Sequence, residues 1–138
     1  MKEKILVLGS SSFSGASLVN FLLNKKKYLV SGTHRRKKIK QFLPYTYNKN
    51  VKSFKEFQVD FLGNPKKIIK IISTLKPDYI IDFASICMVN ESWKHPEIYF
   101  KTNVLQKAEI FKYLSNISFL KKYIYISTPE VFGSSKKY

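Results

Sequence analysis

The chain has 138 residues, 44% hydrophobic and 15% aromatic, enough for one core and one domain. Its single cysteine, Cys87, excludes an internal disulfide, no Cys/His cluster has metal-ligand spacing, and no run approaches the roughly 18 apolar residues of a membrane span, so a reducing, cytoplasmic setting is expected. A formal charge of +16 invites nucleic acid as a partner, but the basic residues form short clusters (Lys25–Lys27, Arg35–Lys38, Lys121–Lys122) at expected loops and helix ends, which argues for a solvated surface and no nucleic-acid partner.

Ile5-Leu6-Val7-Leu8, bounded by Gly9, reads as a central strand. A helix follows from Gly15, with Ala16, Val19, Phe21, Leu22 and Leu23 on its apolar face and Asn24 near its end. Tyr28–Gly32 reads as a second strand, leading into the basic run Thr33-His34-Arg35-Arg36, and Phe57–Phe61 as a third ending near Asp60. Asn64-Pro65 opens a helix, because Asn caps free amides and Pro suits the first helical position; it carries Ile68, Ile69, Ile71 and Ile72 and stops before Lys76-Pro77. Tyr79–Phe83 is a fourth strand, and an irregular stretch around Trp93 follows. Pro96 then opens a long helix through Val104, Leu105, Ala108, Ile110 and Phe111 to about Leu114, and Tyr123–Ile126 is a fifth strand before Ser127-Thr128-Pro129-Glu130. The segment from Arg36 to Lys55 shows no clear pattern.

Nearly continuous apolar strands alternating with helices call for a parallel sheet covered on both faces, an α/β, doubly wound, Rossmann-type fold of about five strands. Such sheets bind ligands at the carboxyl ends of their strands, where this chain gathers its polar and glycine-containing segments.

The turn Gly9-Ser-Ser-Ser-Phe-Ser-Gly15 follows the first strand. Gly9 suits a sharp exit from the strand and Gly15 a close helix-strand approach, while Ser12-Phe13-Ser14 brings free amides to a helix N-terminus, where a pyrophosphate is stabilised. The outer glycines match G-x-x-G-x-x-G, with Ser12 in place of the middle one, so a phosphate cradle and a plain strand-helix turn both remain open. Past the second strand, where an acidic residue would take the ribose 2'-hydroxyl of NAD, the chain has Arg35 and Arg36, which suit a 2'-phosphate and so NADP. Asp60 can accept a hydrogen bond from an adenine amino group.

GSSSFSG, Val59-Asp60-Phe61, Phe83-Ala84-Ser85, Thr102-Asn103 and STPEVFG (residues 127–133) occur in the order found in extended short-chain dehydrogenases/reductases, and the chain most resembles their nucleotide-sugar 4,6-dehydratases. The resemblance, over residues 4 to 135, implies NAD(P), by family NAD, bound by Gly9, Ser11, Ser12, Phe13, Gly15, Arg35, Arg36, Asp60, Phe61, Phe83, Ala84, Ser85 and Thr102. It implies oxidation of a nucleotide sugar at C4, loss of water across C5 and C6, and return of the hydride to C6. Thr128 would hydrogen-bond the O4 hydroxyl and Glu130 would take the C5 proton. The dTDP-glucose members have an Asp between these two that protonates the departing hydroxyl; here it is Pro129, a loss shared with GDP-mannose dehydratases. The family's Ser-His pair after the fourth strand is Cys87-Met88 here, and its Tyr-x-x-x-Lys lies downstream of STPEVFG, beyond Tyr138. Residues 1–138 are thus expected to be the amino-terminal part of an NAD(P)-binding domain, without the substrate domain and inactive alone; full-length members are implied to be homodimers. The alternatives are an epimerase fragment and a non-catalytic NAD(P)-binding module.

Overall fold

Strand β1 (Glu3–Leu8) lies at the centre of the sheet and sorts its side chains by the two-residue period of a strand. Ile5 and Val7 point to one face, where they pack with Ala16, Val19, Leu22 and Leu23 of helix α1 (Phe13–Lys25) and Val30 of β2 (Tyr28–His34). Leu6 and Leu8 point to the other, against Ile68 and Ile72 of α2 (Pro65–Leu75), Ile80 of β4 (Tyr79–Asp82) and Ile110 of α5 (Gln106–Leu114). Each buried aliphatic side chain of β1 contributes about 2 kcal/mol, so the strand anchors both layers of the core.

The computed structural model describes residues 2–35, 42–60 and 65–133, apart from the side chains at 129 and 130. Its five strands run in the order β3-β2-β1-β4-β5, all neighbours parallel, with β3 at Lys55–Gln58 and β5 at Lys122–Tyr125. This is the doubly wound Rossmann-type sheet expected from the alternating pattern. The chain leaves β1 towards β2 and β3 on one side and returns to β4 and β5 on the other, so a crevice opens at the carboxyl ends of β1 and β4.

Several boundaries differ from the sequence expectation. β3 ends at Gln58, because its partner β2 ends opposite it at His34; Asp60 therefore lies beyond the strand. Asn64, the expected cap of α2, and Phe61 lie outside the described residues, as does Arg36. The irregular stretch near Trp93 contains a short helix, α3 (Val89–Lys94). In the unassigned segment two 3-10 turns, Pro44–Tyr47 and Val51–Ser53, fold back on α1. There Tyr45 is buried and its hydroxyl donates to Glu56 Oε1 at 2.6 Å, while Asn48 donates to the side-chain oxygens of Asn20 (2.6 Å) and Asn24 (3.0 Å).

The long helix from Pro96 is continuous but not uniform. Helix α4 (Pro96–Phe100) passes through a π-helical turn, Lys101–Leu105, into α5. Its inward face carries Thr102, Gln106, Lys107 and Ile110, whereas Val104, Leu105, Ala108 and Phe111 are exposed. Phe21 is also exposed, its ring 4.9 Å from Lys25 Nζ. Among the described residues no helix is long and apolar enough to cross a membrane, and no group of three or more His, Cys, Asp or Glu could hold a metal ion.

Candidate dinucleotide site

The turn after β1 is shaped by backbone contact. Gly9 has φ +76°, a left-handed conformation that side chains resist, and a Cβ there would sit 3.0 Å from the amide nitrogen of Ala84. The turn is tied to β2: Ser10 N–H and its hydroxyl both donate to Thr33 O, at 2.8 and 3.1 Å, and Gly9 N–H donates to Thr33 Oγ1 at 3.3 Å. Ser12 caps α1, its Oγ accepting from Gly15 N–H at 3.1 Å. The amides of Phe13 and Ser14 are thereby the orphan donors that a helix start leaves, beside the positive end of the helix dipole.

The opposite wall is the β4 exit. Asp82, fully buried at the end of β4, accepts from Ala84 N–H at 2.7 Å and sets the direction of the chain there. Asn103 clamps the same wall by two backbone bonds, donating to Ile86 O (2.8 Å) and accepting from Ile86 N–H (3.1 Å). Ser85 Oγ shares a 3.1 Å hydrogen bond with the Tyr125 hydroxyl. Thr102, 4% exposed, borders the groove with a hydroxyl that has no hydrogen-bond partner among the described residues. A buried, unpartnered hydroxyl costs free energy unless water or a ligand engages it.

Between these walls lies a groove at the carboxyl edge of β1, β2 and β4. It brings together Gly9, Ser11, Ser12, Arg35, Asp60, Phe83, Ala84, Ser85 and Thr102, nine of the residues singled out from the sequence. Thr33, His34, Val59 and Ile86 line it as well and were not singled out; His34, Val59 and Ile86 each directly neighbour a residue that was, and Thr33 lies two residues before Arg35. Phe13 does not line the groove, its side chain being 91% exposed, and Gly15 lies buried beneath it. Thr128 is exposed after β5, outside the groove, and its carbonyl accepts from Val131 N–H. Glu130 belongs to the 3-10 turn Pro129–Phe132.

Beneath the β4 wall sits a charge pair with no counterpart among the residues read from the sequence. Lys107 Nζ and the Tyr123 hydroxyl both donate to Asp82 Oδ2, and the side chains of Lys107 and Asp82 are 4% and 0% exposed. Burial lowers the Lys107 pKa, and the Asp82 carboxylate opposes that shift. Burial, followed by the charge and hydrogen bond of Asp82, pushes the Tyr123 phenol well above its usual range.

The family model described as GDP-mannose 4,6 dehydratase matches residues 6–138. The chain belongs to that dehydratase family. It is thus one of the NAD-dependent epimerases/dehydratases among the extended short-chain dehydrogenases/reductases, as its motifs suggest. This family member is 27% identical over 142 residues to the UDP-glucose 4-epimerase of Pisum sativum, the match covering 98% of this chain and 39% of that protein. It is 29% identical over 140 residues to the dTDP-D-glucose 4,6-dehydratase of Dictyostelium discoideum, covering 96% and 30%. The chain therefore spans between 30% and 39% of the length of these two curated relatives. Its fold matches the UDP-Glc/GlcNAc 4-epimerase of Campylobacter jejuni with a TM-score of 0.82 at 21% identity, over 98% of this chain and 40% of that one. It also matches the UDP-glucose 4-epimerase of Bifidobacterium longum, solved with NAD+ and UDP, with a TM-score of 0.78 at 22% identity, over 97% and 39%.

Proposed function

We propose that residues 1–138 form the NAD(P)-binding Rossmann portion of a nucleotide-sugar 4,6-dehydratase. The observation that carries this reading is the groove itself: a turn closed by Gly9, a capped helix start, and the buried Thr102 hydroxyl, unpartnered among the described residues, meet at the switch point of the sheet. In this reading the amides at the start of α1 hold the pyrophosphate, Asp60 reads the adenine, and Ser85 and Thr102 border the nicotinamide half. Arg35 lines the groove just past β2, where the sequence has arginine in place of the acidic residue that would take a ribose 2'-hydroxyl, and this supports NADP over NAD. Arg36 would add a second positive charge there, Phe61 an apolar contact beside Asp60, and Phe13 its backbone amide.

When bound, the nicotinamide ring supplies a hydride acceptor and donor. The chain's own part in dehydration would be to hold the sugar O4 hydroxyl with Thr128 and to receive the C5 proton on the Glu130 carboxylate. The substrate would be a nucleotide sugar, and the full-length protein a homodimer in the cytoplasm. A 4-epimerase is the second reading, favoured by the match to a UDP-glucose 4-epimerase over 98% of the chain.

Calorimetric titration of the 138-residue chain with NAD+ and NADP+ tests the proposal. Binding of one dinucleotide per chain is expected, NADP+ tighter, with Arg35→Ala removing most of that preference. Failure of both dinucleotides to bind at millimolar concentration would overturn it. For the reaction, chain joined to the remainder of a family-length protein should convert a nucleoside-diphosphate sugar to its 4-keto-6-deoxy product; formation of the C4 epimer instead would favour the second reading.

A further inference from the structure

The π-helical turn has a geometric consequence. In a regular α-helix residues five apart are rotated by about 140° about the axis and cannot share a face. Here Gln106 N–H donates to Lys101 O, five residues back, and the widened turn lets Thr102 and Lys107 both face inward. One borders the groove and the other ends on Asp82. Asp82 uses its second oxygen to hold Ala84 N–H, and Ala84 is the residue that a Cβ on Gly9 would strike. The Lys107 ammonium also lies 5.4 Å from the centre of the Tyr125 ring, whose hydroxyl pairs with Ser85.

We propose that Lys107 is a positioning residue for the dinucleotide: its buried ion pair with Asp82 fixes the Ala84–Ser85 wall at the distance from Gly9 that a bound pyrophosphate-linked ligand needs. The inference rests on the dinucleotide reading of the groove. Two charges removed from water are costly, and a neutral pair of similar shape would hold the core at less cost, so the stability of the fold does not by itself call for them. What the pair supplies is a rigid link. One ammonium joins α5 to β4 through Asp82 and lies against β5 through the Tyr125 ring, and each strand end passes the constraint to a groove residue by one hydrogen bond.

The test titrates NAD+ and NADP+ into the 138-residue chain as wild type, Lys107→Met, Asp82→Asn and the double variant, well below each unfolding midpoint. Lys107→Met leaves Asp82 buried without its cation and is expected to weaken the tighter dinucleotide at least tenfold. The double variant buries no charge, keeps an acceptor for Ala84 N–H, and should recover to within about threefold of wild type. A merely structural role predicts lower unfolding midpoints with unchanged affinity per folded molecule; Lys107→Met binding within twofold of wild type would therefore overturn the inference while leaving the groove assignment standing. Should Lys107→Met not fold, Asp82→Asn alone, nearly isosteric, decides: fivefold weaker binding supports the proposal and unchanged binding overturns it. A wild-type chain that binds neither dinucleotide overturns both this inference and the reading beneath it.

Discussion

The Cβ that alanine would add at Gly15 lies 2.4 Å from the carbonyl oxygen of Gly9. The obstacle is backbone, so α1 would have to move away from the strand exit that it caps. Gly15→Ala should cost about 1–3 kcal/mol of stability, the range for overpacking a close contact, and should abolish dinucleotide binding because the helix amides shift with the helix. Urea unfolding and calorimetry on the same sample check both parts.

Ser12 spends its hydroxyl on the Gly15 amide. Ser12→Ala removes the cap and should cost about 1 kcal/mol, whereas Ser12→Gly, also a good cap residue, should cost only a few tenths. Glycine here also restores the family spacing and lets a phosphate approach the backbone closely. Ser12→Gly should bind dinucleotide at least as tightly as wild type, and tighter than Ser12→Ala; weaker binding than wild type by both variants would mean that the Ser12 hydroxyl itself touches the ligand.

Helix α1 ends on Lys26, which holds φ +55° while its N–H returns to Leu23 O. A left-handed lysine costs on the order of 1 kcal/mol relative to glycine, partly offset by the greater freedom of glycine in the unfolded chain. Lys26→Gly should raise stability by about 0.5 kcal/mol without changing dinucleotide affinity, because the residue is at the opposite end of α1 from the groove. A lower thermal midpoint would show that the Lys26 side chain contributes more than its backbone costs.

The layers of the fold were legible because the second half of β1 is buried on both sides and so reads as a plain apolar run, because Ile80 and Ile81 mark β4, and because Pro65 and Pro96 mark helix starts by a local steric rule. What escaped depends on contacts between distant segments. Asp82 and Lys107 pair across 25 residues, so neither position alone announces a buried ion. The apolar residues Val104, Leu105 and Phe111 mark the long helix in the sequence, yet they are exposed, and the face that packs on the sheet carries Thr102, Gln106, Lys107 and Ile110. The end of β3 followed the length of its neighbour β2 rather than its own apolar residues, which left Asp60 beyond the strand.

Asp78 joins three strand starts. Its Oδ2 accepts from Lys4 N–H at 2.8 Å beside β1, its Oδ1 meets Lys121 Nζ at 3.1 Å, and its carbonyl accepts from Lys121 N–H at 2.8 Å ahead of β5. The Lys4 amide, and after it Lys121, hold the Asp78 carboxyl below its ordinary value of 3.8. Since the folded pKa is the lower one, the unfolded chain binds the proton more readily. The stabilisation from this carboxylate is therefore complete above about pH 4 and is lost as pH falls through the folded value. Wild type should have a higher urea midpoint than Asp78→Asn at pH 7, and the gap should close below pH 4. It should also shrink in 1 M salt, through the exposed Lys121 contact but not the amide bond, so some difference should survive. A gap that stays constant from pH 7 to pH 2 would show that the amide nitrogen of asparagine, rather than the lost charge, is what disturbs the junction.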